Sequence, residues 1–78
     1  MMTVSGATLR EVRRILDISQ CQCAKALGVS QSVLVTVERG HTEPSPPLGI
    51  KMTAWVRKNK PKVKAKLKEL TSALDDIG

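Results

Sequence analysis

A chain of 78 residues with a net charge of +6 makes one small domain with a thin core and favours a polyanionic partner, nucleic acid before an anionic membrane. Its apolar content of 41% excludes compositional disorder. With no Tyr, no Phe and Trp55 alone, the core is aliphatic and suits packed helices better than a sheet. No apolar run reaches the roughly 18 residues of a membrane span, and the opening residues lack the basic start and hydrophobic run of a secretory leader; a cytoplasmic protein without membrane association is expected.

In the first element Leu9, Val12, Ile15 and Leu16 recur at helical spacing between charged residues. Thr8 is the expected cap, with Glu11 completing a capping box, and the helix ends near Asp17. Ser19 offers a second cap, followed by Gln22 at the third helical position. Residues 20–27 then read as a short helix whose inward face is Cys23, Ala24 and Leu27, closed by Gly28 in the left-handed conformation. Cys21 and Cys23 point about 200° apart on it, so they do not bridge each other. A zinc site needs about four ligands, and His41 is the chain's one histidine. Neither a metal nor a cofactor is expected, and nothing in the chain suggests an enzyme.

Ser30 is a third cap. The valines at 33, 35 and 37 alternate as in a strand, but the cap and the preceding turn favour a helix over 31–39, with Leu34 and Val37 inward and Val33 and Val35 outward or sideways. Gly40 closes it. After a loop over 41–47, Ser45-Pro46-Pro47 marks the next helix start, with Leu48, Met52, Trp55 and Val56 as its inward stripe. Asn59-Lys60-Pro61 predicts a break and a fifth, lysine-rich helix over about 61–76. The expected fold is therefore all-α: one domain over 1–78, a bundle of about five short helices with its motif at about 19–40.

Charge is unevenly spread. Residues 1–45 set Arg10, Arg13, Arg14, Lys25 and Arg39 against Glu11, Asp17, Glu38 and Glu43. From Lys51 to Lys68 the bases are Lys51, Arg57, Lys58, Lys60, Lys62, Lys64, Lys66 and Lys68, with no acid among them. In the last helix Val63, Leu67, Leu70, Leu74 and Ile77 step by four, three, four and three, a heptad seam. A parallel pair of such helices would bring basic flanks together, so packing on the domain's own core is expected, with part of the seam left for a dimer contact.

The run Ser19-Gln20, Ala24, Gly28-Val29-Ser30-Gln31-Ser32 and Val37-Glu38-Arg39-Gly40 resembles the helix-turn-helix of the lambda-repressor-like family, also called the Cro or XRE type. Pro44-Ser45 is similar to the family's loop after its third helix, and the resemblance covers residues 9 to about 56. Ala24 is small enough for two helices to cross closely, Gly28 makes the turn, and Val29 fills the gap beneath it. Cys21, Cys23, Val33 and Val35 depart from the family pattern.

The resemblance implies a DNA-binding function and assigns roles to residues. Gln31 opens the recognition helix, where an amide pairs bidentately with adenine N6 and N7. Gln20 is similar to a residue that binds phosphate and braces the reading glutamine. Ser32, Val35 and Thr36 line the groove side, and Arg39 and His41 are candidates for phosphate contact. A Cro-like repressor acting as a homodimer on an inverted-repeat operator in double-stranded DNA is expected. The alternative is an antitoxin or adaptor whose helices bind a protein partner.

Overall fold

Residues 4–77 are described in the computed structural model of the chain. Among them it forms four helices and no strand: α1 (Gly6–Ile15), α2 (Gln20–Leu27), α3 (Gln31–Glu38) and α4 (Pro46–Ile77). The all-α expectation holds, and the alternating valines lie in α3. Four serines start the four helices. Ser5, Ser19, Ser30 and Ser45 each accept a hydrogen bond from the backbone N–H three residues on, at 3.1–3.4 Å. Each thereby satisfies a donor that the first helical turn leaves without a partner. Ser19 and Gln22 complete a reciprocal capping box.

The expected Thr8 cap and its box with Glu11 do not form. Thr8 lies inside α1, its backbone N–H donating to Ser5 Oγ. The earlier start has a tertiary cause. Gly6 packs directly against the backbone of Val37, where a Cβ would collide with the carbonyl oxygen. The close approach of α1 to the end of α3 needs a glycine in the first turn, a residue that a propensity reading places outside a helix.

The first two helices end alike. Ile18 N–H returns to Arg13 O and Asp17 N–H to Arg14 O; Val29 N–H returns to Ala24 O and Gly28 N–H to Lys25 O. These paired bonds form the Schellman arrangement, in which an apolar residue just past the turn folds back on the helix. Ile18 and Val29 both pack against the core. Gly28 takes the left-handed conformation (φ +71°) without cost, whereas Asp17 takes it (φ +56°) despite its Cβ. At the end of α3, His41 and Gly40 make the same pair of bonds to Thr36 O and Val37 O.

The core joins all four helices: Leu9 from α1, Cys23, Ala24 and Leu27 from α2, Leu34 and Val37 from α3, and Leu48 and Met52 from α4. Val4, Ile18, Val29, Trp55 and Val56 are partly buried around it. The inward faces expected for α2, α3 and the start of α4 are therefore the ones used.

The expected break at Pro61 does not occur: α4 continues through it. Proline removes the bond to the carbonyl four residues earlier, here Arg57, an exposed residue whose carbonyl can turn to water. The groove that α4 fills also does not end at Pro61. Asn59, Lys62, Ala65 and Lys66 still lie beside Leu16 and Ile18 at the α1–α2 corner, so continuing the helix retains packing that a break would lose. Asn59 is buried, and its side-chain amide donates to Trp55 O at 2.8 Å.

Beyond this corner α4 runs on. Its 32 residues run much of the long dimension of a molecule of 44 × 25 × 20 Å. The expected packing of the seam on the domain core is not found. Val63 is half-buried, but Leu67, Leu70 and Leu74 are 46%, 57% and 68% exposed. Too little of the bundle extends alongside the end of α4 to cover them. The side chain of Ile77 lies outside the described residues.

Candidate nucleic-acid interface

The geometry of α2 and α3 follows from the turn between them. Gly28 reverses the chain, Val29 anchors it to the core, and Ser30 restarts a helix at Gln31. Leu34 and Val37 hold α3 by its inner face, leaving its first turn exposed. Gln31 and Ser32 are fully outward; Val35 and Thr36 are half-buried one turn later; Arg39 and His41 are exposed at the far end. At about 100° per residue, Gln31, Ser32, Val35 and Arg39 share one outward strip. Thr36 lies beside it, its hydroxyl donating to Ser32 O at 2.8 Å. Val33 is 44% exposed and faces away from that strip. It lines an open apolar groove of about 370 Å³ with Thr36, Val37, Pro44 and Leu48.

Behind the strip lies a buried ion pair. Arg13 of α1 meets Glu38 of α3 through two hydrogen bonds, Nε to Oε2 at 2.8 Å and Nη2 to Oε1 at 3.0 Å. The side chains are only 12% and 2% exposed. Arg13 Nη1 also donates to Ile18 O at 3.0 Å. Gln20 donates its amide to Glu38 Oε1 at 3.3 Å. One carboxylate thus ties α1, α2 and α3 together, with a bidentate geometry that suits guanidinium better than ammonium. The hydrogen bonds that Arg13 donates to the Glu38 carboxylate raise the Arg13 pKa above its ordinary value. Burial pushes the Cys23 thiol up to about 11, and the Glu38 carboxylate adds to that rise. Cys21 is exposed.

Gln20 is therefore directed at Glu38 and not at Gln31. It is half-buried and borders a small polar cleft of about 150 Å³ that it shares with Arg10, Arg13, Arg14, Glu38 and Arg39. Arg13 and Glu38 neutralise each other there. Arg10, Arg14 and Arg39 remain as three exposed cations around the start of α2. No motif in the sequence singles out Arg10 and Arg14. Their signal is spacing: they lie four apart on α1, opposite the inward Leu9 and Val12, while Arg13 is turned toward the core.

The lysines of α4 are arranged differently. A step of two residues turns about 200°, so Lys58, Lys62 and Lys66 form one stripe and Lys60, Lys64 and Lys68 another on the far side. The first stripe borders the grooves against α2 and the α1–α2 corner. The Lys51 ammonium is 3.8 Å from the position of a Cβ on Gly28, beside the C-terminus of α2, where a cation interacts favourably with the helix dipole.

A family model described as helix-turn-helix matches residues 9–53, more than half of the chain. The chain belongs to the lambda-repressor-like helix-turn-helix family, of Cro type. It is accordingly a DNA-binding regulator by class. Comparison with curated proteins and with solved structures found no match. No helix among the described residues is long and apolar enough to cross a membrane.

Proposed function

We propose that the protein is a sequence-specific repressor that binds double-stranded DNA as a homodimer on an inverted repeat and acts by occluding a promoter. The observation that carries this reading is the outward strip of α3: Gln31, Ser32 and Val35, with Thr36 beside it, at the exposed end of a helix held from behind. In the major groove, Gln31 pairs with an adenine, Val35 meets a thymine methyl group, and the hydroxyls serve either base edges or phosphate. Gln20, Arg39, Arg10 and Arg14 border a cleft suited to backbone phosphate, with His41 near the end of the reading helix. Phosphate contacts fix register and base contacts supply specificity. A single module of this size makes few contacts, so two half-sites lie about one helical turn, roughly 10 bp, or a multiple of it apart.

Selection of bound sites from random duplex DNA tests the reading directly and returns an inverted repeat. Gln31→Ala then costs about 1–3 kcal/mol on the selected site and relaxes preference at one base position per half-site. A binding profile unchanged across all base substitutions would remove α3 from the reading role.

A second reading, an antitoxin or adaptor that binds a protein, rests on the apolar groove beside Val33. It predicts no selected site when the protein is alone in solution.

A further inference from the structure

We infer that the exposed end of α4 is an interface with a second copy of this chain, the two helices running antiparallel. The inference rests on the homodimer reading above, whose interface it names, but uses residues that take no part in reading DNA.

The seam continues the core. With about 100° per residue, Val63, Leu67, Leu70 and Leu74 prolong the face on which Leu48, Met52, Val56 and Asn59 meet the domain. Their exposure rises along the helix, from half-buried Val63 through 46% and 57% to 68% at Leu74. A helix end that meets no other element has little stability of its own, and a four-three apolar repeat is the pattern that pairs helices.

Charge selects both the occupant and its direction. Lys58, Lys60, Lys62, Lys64, Lys66 and Lys68 stand without an acid between them, while Glu69, Asp75 and Asp76 follow with no base. The last turn of α4 holds no basic residue, so Asp75 and Asp76 oppose the helix dipole in an isolated chain. A parallel pair would set lysines against lysines and acids against acids. An antiparallel pair sets the acidic end of each helix beside the lysine run of the other and opposes the two dipoles.

The register follows from the seam. Packing Leu67 against Leu70 of the second copy, and Val63 against Leu74 of the second copy, uses all four layers. It brings Asp75 midway between the levels of Lys60 and Lys64 of the second copy, and Glu69 within one turn of Lys66 of the second copy. The flanks agree as well. Asp75 falls on the side of α4 that carries Lys60, Lys64 and Lys68, Glu69 on the side of Lys58, Lys62 and Lys66, and antiparallel pairing brings like sides together.

Sedimentation of the full chain, wild type and Leu67→Ser/Leu70→Ser, tests the seam; both residues are exposed, so circular dichroism and melting of the bundle should be retained. The expected result is a micromolar dimer in the wild type, weakened on the order of 100-fold or more in the variant. A chain that stays monomeric at such concentrations overturns the inference and leaves the seam to a different protein; a dimer that survives the double substitution overturns it too. Direction is read by cross-linking with a short bifunctional maleimide in a Cys21→Ser background. Val63→Cys chains mixed with Leu74→Cys chains should join to each other, and neither should join efficiently to itself. Self-joining of Leu74→Cys alone would mean a parallel pair. A seam-dependent dimer that selects no DNA site supports this interface and defeats the repressor reading. A protein that selects its site while its dimer ignores the seam does the reverse.

Discussion

The helix-turn-helix half and the far half of α4 stabilise their helices by opposite means. In the first, three helices of eight to ten residues are each fixed at both ends by hydrogen bonds and from inside by buried side chains. None is long enough to persist alone in water. In the second, one helix outruns its support and carries leucines into solvent. Charge shows the same contrast. The nearly neutral half concentrates Arg10, Arg14 and Arg39 around one cleft, because Arg13 and Glu38 cancel inside it. The lysine-rich half spreads its charge over two faces. Net charge by segment is therefore a poor guide to where unpaired cations gather; the pairing and direction of side chains decide it.

The largest break in this comparison is Glu38→Ala. It leaves the Arg13 guanidinium buried without its partner and removes the acceptor of Gln20. Loss of one member of a buried pair costs about 3–5 kcal/mol, a large share of the stability of a small domain. Urea denaturation should show the bundle mostly or wholly unfolded, while Glu69→Ala, on the exposed stretch of α4, should change its midpoint little.

A smaller effect separates the two groups of cations. Glutamine at Arg10 and Arg14 should reduce the salt dependence of DNA binding by about one for each phosphate no longer neutralised. Glutamine at Lys62, Lys64, Lys66 and Lys68 together should produce a smaller change in slope, similar on all sequences, despite removing twice the charge. Titrations at several salt concentrations on the selected site measure both; a larger change from the lysines would reverse the assignment.

Pro61→Ala tests whether the two halves of α4 form one helix. Restoring the backbone N–H and relieving the ring's clash with the preceding turn should stabilise the protein by about 1–3 kcal/mol, seen as a higher Tm. A destabilised variant would mean that the proline's geometry is itself required.

The smallest effect appears only in alkali. Cys23 keeps its proton in the fold up to about pH 11, against an ordinary value of 9.0. Below pH about 9 both folded and unfolded chains hold the proton, and the contribution is fully present. As pH rises toward 11 the unfolded chain loses it first, and stability falls. Cys23→Ala should lack that component of the decline, and thiol reagents at neutral pH should modify Cys21 while Cys23 waits on unfolding.

Much of the architecture could be read from sequence because its signals are local. Ser19, Ser30 and Ser45 act within three residues of themselves, Gly28 within one turn, and the apolar faces of α2 and α3 repeat over a single helix. These determined the all-α class, the family resemblance and the outward position of Gln31. What lay between distant residues required the tertiary structure. Glu38 meets Arg13 across 25 positions and Gln20 across 18, and no local spacing marks such pairs. The start of α1 depends on Gly6 meeting Val37, the continuity of α4 on a groove that extends past Pro61, and the exposure of Leu67, Leu70 and Leu74 on where the bundle ends. Periodicity shows that a helix face is apolar; which surface covers it is decided by the packing of the whole chain.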